Sequence, residues 1–260
     1  MSLDNYEQFT RFFHERSGID LSCYKRAQMQ RRIEQFITNK GFQDYLAFKD
    51  SLNSNPELLA AFLRHLTINV SQFFRDMGQW EILRASILPM LLAGRSSLKL
   101  WSAGSSGGQE AYTLAIILQE TFPLVPYSIL GTDIDDAMLA QARHGVYKTQ
   151  DLVGAPPHIL DNYFNPTGDG LQVKERLKSN VHFQKRNLLT GIFDTGYDLI
   201  CCRNVVIYFT EEAKNSLYCR FSKSLRPGGV LFTGSTEQIF NLTELGLKPL
   251  APFFYQKIPC

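Results

Sequence analysis

The sequence predicts an α/β fold with a doubly wound, mostly parallel sheet, preceded by a helical N-terminal domain and interrupted by a small antiparallel β insertion. Three observations predict it. Helical periodicity fills roughly the first ninety residues. Short apolar strands then alternate with helices, the pattern of a parallel sheet. Residues 163–183 break that alternation around the turn Asn165-Pro166-Thr167-Gly168-Asp169-Gly170.

The opening segment carries Phe9, Phe12 and Phe13 at helical spacing. Over residues 24–39, Met29, Ile33, Phe36 and Ile37 fall at i, i+4, i+7 and i+8 and make one apolar stripe. Gln28, Arg31, Arg32 and Gln35 lie opposite, with Lys25 at the border and Gly41 as the stop. Two more helices fit residues 43–52 and Pro56–Leu66, the second opened by Asn55 as a cap and Pro56 in the first turn. After Gly94 the pattern changes. Residues 97–102 form a strand that ends in Ala103-Gly104-Ser105-Ser106-Gly107-Gly108, and Ala111, Leu114, Ala115 and Leu118 carry a helix onward. Residues 127–132 form a second strand ending at Asp133, followed by a helix over about 135–144. Residues 181–186 and Tyr197–Cys202 are further strands, the latter apolar almost throughout, as suits a strand covered on both faces. Thr210 caps a helix to Leu225, Pro227-Gly228-Gly229 turns the chain into residues 230–235, and a last strand fits residues 252–258. The expected division is a helical domain over 1–78 and an α/β domain over 79–260, with the β insertion at about 163–184.

The 260 residues suffice for one large domain or two modest ones, and 44% hydrophobic with 20% charged residues is ordinary for a globular core. A formal net charge of +2 gives no global reason to bind nucleic acid or an anionic membrane. The first residues carry acids and no apolar core segment, and no apolar run approaches the ~18 residues of a membrane span. The expectation is therefore a cytoplasmic protein without membrane insertion. Five cysteines include no C-x-x-C pair, and adjacent Cys201 and Cys202 in an apolar run read as buried thiols in a reducing compartment. No metal site is expected.

In an open α/β sheet, ligands bind beyond the carboxyl ends of the strands, so the residues ending each strand are the candidates. The glycine turn after the first strand lets backbone approach a ligand and opens a helix whose N-terminus favours an anion. Asp133, one βαβ unit later, stands where an acid accepts hydrogen bonds from a ribose diol. The spacing is not G-x-G-x-x-G, which argues against a dinucleotide. Residues 66–76, just before the α/β domain, offer Asn69, Ser71 and Arg75 around Phe73 and Phe74; a packed domain junction with a solvated arginine is the plainer reading. Asn187-Leu188-Leu189 follows one strand, and Arg203, Asn204 and Tyr208 follow the next. An asparagine loop can read an adenine edge. Asn204 is equally a turn residue satisfying its own backbone, and Tyr208 a half-buried core tyrosine.

Taken in order, these segments resemble the chemotaxis receptor methyltransferases (CheR family), which are protein-glutamate O-methyltransferases. The likeness runs through N-x-[TS]-x-F-[FY]-R at 69–75, W-S-A-G-x-S-x-G-x-E at 101–110, G-T-D-I-D at 131–135, N-L-L at 187–189 and C-R-N-V-x-I-Y-F at 202–209. It implies a class I S-adenosylmethionine-dependent methyltransferase (SAM as cofactor, S-adenosylhomocysteine, SAH, as product), bacterial and monomeric. It implies that Asn69, Ser71 and Arg75 approach the methionine end of SAM, and that Ala103, Gly104 and Glu110 flank its amino-acid part, Glu110 accepting from the ammonium. Asp133 would hold the ribose hydroxyls with Ile134 against the adenine, and Asn187 and Leu188 would frame that base. Arg203, Asn204 and Tyr208 would line the acceptor side, with Arg75, Asn204 and Tyr208 closest to the chemistry. The partner so implied is the helical cytoplasmic region of chemoreceptors, met by Lys25, Arg26, Arg31 and Arg32.

The sequence departs from the family pattern in places. Ser71 stands for the commoner Thr, Ser105 for a frequent Cys, and Gln109-Glu110-Ala111 for Glu-Glu-Pro. A second arginine, placed near the methyl group in some members, would fall in residues 80–95, where Arg84, Arg95 or no equivalent are the alternatives. Members that bind a receptor C-terminal pentapeptide carry a longer turn in the β insertion, so the short path through Pro166 implies independence from such a tether. A non-catalytic SAM-binding adapter, and a small-molecule or nucleic-acid methyltransferase, are the rival readings; near-neutral charge and the absence of N-P-P-[YF] argue against nucleic acid.

Overall fold

The computed structural model describes residues 3–67 and 69–259. Two compact units emerge, Met1–Asn69 with Tyr208–Ser216, and Val70–Ile207 with Leu217–Cys260. The first break lies between Asn69 and Val70, upstream of the expected 78.

The first unit packs α1 (Leu3–Ser17), α2 (Arg26–Asn39), α3 (Tyr45–Ser54) and α4 (Pro56–Leu66). Its core is aromatic: Phe9, Phe13, Phe48 and Phe62 are buried. The Phe62 ring stands edge-on to Phe13 at 5.2 Å and to Phe48 at 4.9 Å. Removing a buried ring of this kind costs about 3–5 kcal/mol. A helix buries one stripe only, so Phe12 turns outward beneath the Lys49 ammonium, 5.4 Å from its ring. The α2 stripe of Met29, Ile33, Phe36 and Ile37 is buried as expected. Helix α3 starts two residues later than expected because Asp44 takes the cap, its carboxylate accepting the Ala47 N–H at 2.9 Å. Asn55 caps α4 in the same way through the Leu58 N–H, also at 2.9 Å. The unit is completed by a distant segment. Tyr24 bridges Phe209 antiparallel, the Lys25 N–H donates to the Tyr208 carbonyl at 2.9 Å, and the Thr210 N–H donates to the Cys23 carbonyl at 2.9 Å.

The second unit opens with α5 (Met77–Ile82), a π-helical turn (Leu83–Ile87) and α6 (Leu88–Leu92). There follow β1 (Leu98–Ala103), α7 (Gln109–Thr121), β2 (Tyr127–Asp133), α8 (Asp136–His144), β3 (Val146–Tyr147), α9 (Pro157–Tyr163), β4 (Phe164–Thr167), β5 (Gly170–Val173), α10 (Glu175–Lys178), β6 (Val181–Lys185) and β7 (Tyr197–Cys202). The division between units falls within α11 (Glu211–Ser224), after which β8 (Leu225–Thr233), β9 (Leu247–Ala251) and β10 (Phe254–Lys257) finish the chain. The main sheet has the order β6-β2-β1-β7-β8-β10-β9. Its first five strands are parallel, and β10 runs antiparallel to both neighbours.

Three details differ from expectation. The small sheet, β3-β5-β4, draws one strand from Val146–Tyr147, upstream of the expected 163–184, while Val181–Lys185 pairs with β2 in the main sheet. Pro227-Gly228-Gly229 lies inside β8, where the register jumps from Tyr197↔Leu225 to Leu199↔Val230. The turn residues make a bulge there, with Gly228 at φ +77°. The strand β9 was not expected, because Pro249 and two lysine- and leucine-bearing exposed positions hide an edge strand.

Candidate active site

The chain runs β1, β2, β6 outward on one side and then returns to place β7 on the other side of β1, so the strand order reverses at the carboxyl ends of β1 and β7. There the two loops touch. Gly104 has φ +78°, and a Cβ on it would lie 2.5 Å from a Val205 methyl. A Cβ on Gly108 (φ +90°) would come within 2.9 Å of both Ala142 and Phe183. The glycines therefore serve packing of protein on protein as well as any approach to a ligand.

Asp133, at the end of β2, is buried and holds this loop in shape. One carboxylate oxygen accepts the Ser106 N–H at 2.8 Å and the other the Asp135 N–H at 3.0 Å. Burial pushes its carboxyl above the usual range, opposed by those backbone donors. A carboxylate offers about four acceptor positions, so beyond these backbone donors the group keeps capacity for a ribose hydroxyl. Ile134 beside it is half-buried. Asp135 caps α8 through the Ala137 N–H at 2.9 Å.

Glu110, in the first turn of α7, accepts from the Ser102 hydroxyl at 2.8 Å, and its other oxygen stands 3.9 Å from an Arg203 nitrogen, beyond hydrogen-bond reach. Burial raises its carboxyl above the usual range; Arg203, Ser102 and Arg75 pull it back and Glu237 raises it further. That loosely engaged oxygen suits an ammonium. Ala103 is fully buried beneath it at the end of β1.

Arg203 is an internal hub. Its guanidinium donates to the Arg75 carbonyl at 3.0 Å, to Asp76 at 3.1 Å and to Gln79 at 3.0 Å. It lies between the rings of Trp80 and Phe232, at 4.9 and 4.8 Å. Arg203 thus grips the 70–76 segment rather than standing open toward an acceptor. Phe73 and Phe74 are buried, the Phe74 N–H donates to Thr113 at 3.2 Å, and the Trp80 indole donates to the Arg75 carbonyl at 2.8 Å. Ser71 and the Arg75 side chain are half-buried, and Arg75 reaches the Val70 carbonyl at 3.4 Å. Arg75 is not a freely solvated cation.

Asn187 closes its own turn, accepting the Leu189 N–H at 2.9 Å. Leu188 is buried, and its carbonyl is held by Arg220 from α11 at 2.6 Å. Arg220 also donates to the Gly191 carbonyl and lies 3.9 Å over the Phe193 ring. Asn204 has φ +60°, a left-handed position in the turn after β7. Of the five non-glycine residues with left-handed φ among those described, four stand here: Phe74, Asp76, Ser106 and Asn204. Each costs on the order of 1–3 kcal/mol, and such strain gathers at functional sites.

Asn69 and Tyr208 belong to the first unit. Asn69 donates to Thr67 at 3.0 Å, and Tyr208 is half-buried. Neither candidate for a second arginine lies with the residues above. Arg84 pairs with Glu81 at 2.7 Å on the surface, and Arg95 pairs with Asp198 at 3.1 Å, near the start of β7. Arg203 is the second guanidinium of the cluster.

Sequence reasoning missed Ser102, Asp76, Gln79, Arg220 and Glu237. Glu237 follows the end of β8 by four residues, so its place beyond a strand end is the signal that could have found it.

Two family models match the chain, "CheR methyltransferase, all-alpha domain" over residues 4–67 and "CheR methyltransferase, SAM binding domain" over residues 69–248. The chemotaxis protein methyltransferase of Listeria monocytogenes is 40% identical over 254 residues, covering 97% of each chain. That of Vibrio parahaemolyticus is 34% identical over 256 residues, covering 94% of this chain and 92% of its own. Among solved structures, the SAM-bound amino pentose methyltransferase CalS10 of Micromonospora echinaspora is 20% identical, with a TM-score of 0.36, over 63% of this chain and 57% of its own. The chain belongs to the CheR methyltransferase family, and its α/β unit is that family's SAM-binding domain.

Proposed function

We propose that this methyltransferase acts in the cytoplasm and transfers the methyl group of SAM to glutamate side-chain carboxylates of chemoreceptors, leaving glutamyl methyl esters in chemotaxis-type adaptation. One observation carries the choice of acceptor. None of the five histidines falls in the loops 66–76, 103–110, 133–136, 186–196 or 203–210, while Arg75 is there with a half-buried side chain. An acceptor hydroxyl or ammonium has to lose a proton, and histidine is the usual base near neutral pH. A glutamate, with pKa about 4.3, arrives already ionised.

SAM supplies an electrophilic methyl on a sulfonium. Glu110 accepts from its ammonium, with Ala103 and Gly104 alongside. Asp133 holds the ribose hydroxyls, and Ile134, Asn187 and Leu188 enclose the adenine. Ser71 lies toward the methionine end. Arg75 steers the incoming carboxylate into line, and Asn204 fixes its approach. Tight pairing with Arg75 would stabilise the ground state, so its task is orientation. Excluding water favours a reaction in which an anion and a cation neutralise each other. The roles of Asn69 and Tyr208 rest on the family resemblance alone.

The test is transfer of labelled methyl from SAM to chemoreceptor-containing membranes, with calorimetry of SAH on the wild type and Asp133→Ala. Base-labile label on the receptor, and SAH binding lost in the variant, are expected. SAH binding without transfer would instead favour an adapter, and binding unchanged by Asp133→Ala would overturn the cofactor site.

A further inference from the structure

Glu237 is a buried acid that this mechanism leaves unused. It lies just past the carboxyl end of β8, beside the turn that follows β7. One of its carboxylate oxygens accepts the Asn204 N–H at 2.6 Å and the Gly234 N–H at 2.9 Å, and the other accepts the Val206 N–H at 2.9 Å. Three backbone donors converge on one carboxylate, the arrangement of a backbone anion nest whose anion is built into the chain. The side chain is 4% exposed. Burying a carboxylate is costly unless donors replace water, and these do so.

The clamp has a geometric object. Asn204 has φ +60°, a conformation asparagine tolerates but does not hold unaided. The hydrogen bonds on either side, at Asn204 and Val206, keep the turn in that form and tie it to Gly234. Space is tight on the far side too. A Cβ on Gly234 would lie 2.6 Å from a Glu237 oxygen, 3.0 Å from the Asn204 nitrogen and 3.3 Å from the Asn204 amide nitrogen.

We infer that Glu237 is a positioning residue for methyl transfer, holding Asn204 in the left-handed turn from which it orients the acceptor. It acts through Asn204 and does not touch substrate. The inference rests on the proposed reading of Asn204 as an acceptor-side residue. Replacing Glu237 by Gln keeps size and shape but turns one acceptor into a donor facing N–H groups, so the turn loosens.

The experiment compares wild type, Glu237→Gln and Gly234→Ala. It measures kcat and acceptor KM at saturating SAM, the SAH Kd by calorimetry, and hydrogen exchange of peptides covering 203–207. A reacting group misplaced by about 1 Å costs on the order of 100-fold in rate. Glu237→Gln should therefore lower kcat by about 100-fold and quicken exchange of the Asn204 and Val206 amides roughly tenfold, the scale of one lost buried hydrogen bond. Removing the Glu237 charge relieves Glu110 of a repulsion that disfavours its carboxylate, and it alters no contact assigned to the cofactor. The SAH Kd should move less than about threefold, and not toward weaker binding. Gly234→Ala presses on the same carboxylate without altering charge and should show the same signature more weakly. It keeps the inference testable where Glu237→Gln does not fold. A variant with normal kcat and a lowered Tm would make Glu237 purely structural and overturn the inference. So would parallel losses of kcat and SAH affinity, which would place the turn in cofactor binding. A wild type inactive on receptors would sink the function reading alone, and unchanged exchange in Glu237→Gln would still refute the clamp.

Discussion

Gly104→Ala is the substitution that most directly asks whether the loops after β1 and β7 are held together as described. Two costs can be separated. Alanine at φ +78° meets the left-handed penalty, about 1–2 kcal/mol. Its Cβ would also strike Val205, lying 2.5 Å from one methyl and 3.3 Å from the other, where overpacking of this kind costs about 1–3 kcal/mol. The single variant should therefore lose about 2–5 kcal/mol in urea denaturation. Val205→Ala removes both struck methyls and leaves only the Val205 Cβ, 3.5 Å away, an ordinary contact. Alone it should cost about 1.5 kcal/mol for two half-buried methyls. In the double variant the clash disappears while the backbone penalty stays. The two substitutions should then be non-additive, with a coupling of about 1–3 kcal/mol in favour of the double variant, and SAH affinity should recover with it. Additivity within about 0.5 kcal/mol would refute the close approach of the two loops.

Three further outcomes follow from the site and its surroundings. Because burial raises the Glu110 carboxyl, the protonated form favours the folded protein; that contribution is complete below the ordinary 4.5 and is lost as pH rises through the raised value. Ammonium binding needs the carboxylate, so SAH affinity should fall on acidification beginning above pH 4.5, and Glu110→Gln should flatten that limb in calorimetric pH titrations. On α2, Arg31 is exposed whereas Arg32 donates to the His65 carbonyl and is partly buried. Arg31→Glu should slow receptor methylation several-fold at low salt without changing SAH affinity or Tm, while Arg32→Glu should lower Tm as well; equal effects on Tm would refute the distinction. The hairpin β4–β5 is joined through Gly168-Asp169 alone, with Thr167 opposite Gly170. Isolated protein should show no micromolar binding of receptor C-terminal pentapeptides, and truncating a receptor's tail should leave its methylation nearly intact.

What the sequence made legible was whatever depends on local chemistry. The Met29, Ile33, Phe36, Ile37 stripe, the Asn55-Pro56 start and the apolar strand Tyr197–Cys202 follow from periodicity and caps, and each stands where expected. Asp133 was a candidate because it ends a strand, beyond which an open sheet binds ligands, whereas Glu110 was named only through the family resemblance. What escaped depends on contacts across long stretches of chain. The family resemblance puts Arg203 on the acceptor side, yet its guanidinium turns inward to Asp76 and Gln79. Arg220 sits mid-helix with no motif, and only the fold brings it to the Leu188 carbonyl. The strand β9 was hidden by Pro249 and by side chains that an edge can leave in water.

The return of Tyr208–Ser216 to the first unit bears on how this chain can be cut and rearranged. A fragment ending near Asn69 would keep all four helices and still be incomplete. Tyr24 would lose its bridge, and the Lys25 N–H and Cys23 carbonyl their backbone partners at Tyr208 and Thr210. The helical part is thus not a detachable cassette. A chimera exchanging it between relatives should carry the later segment along with the first sixty-nine residues, two pieces inherited as one.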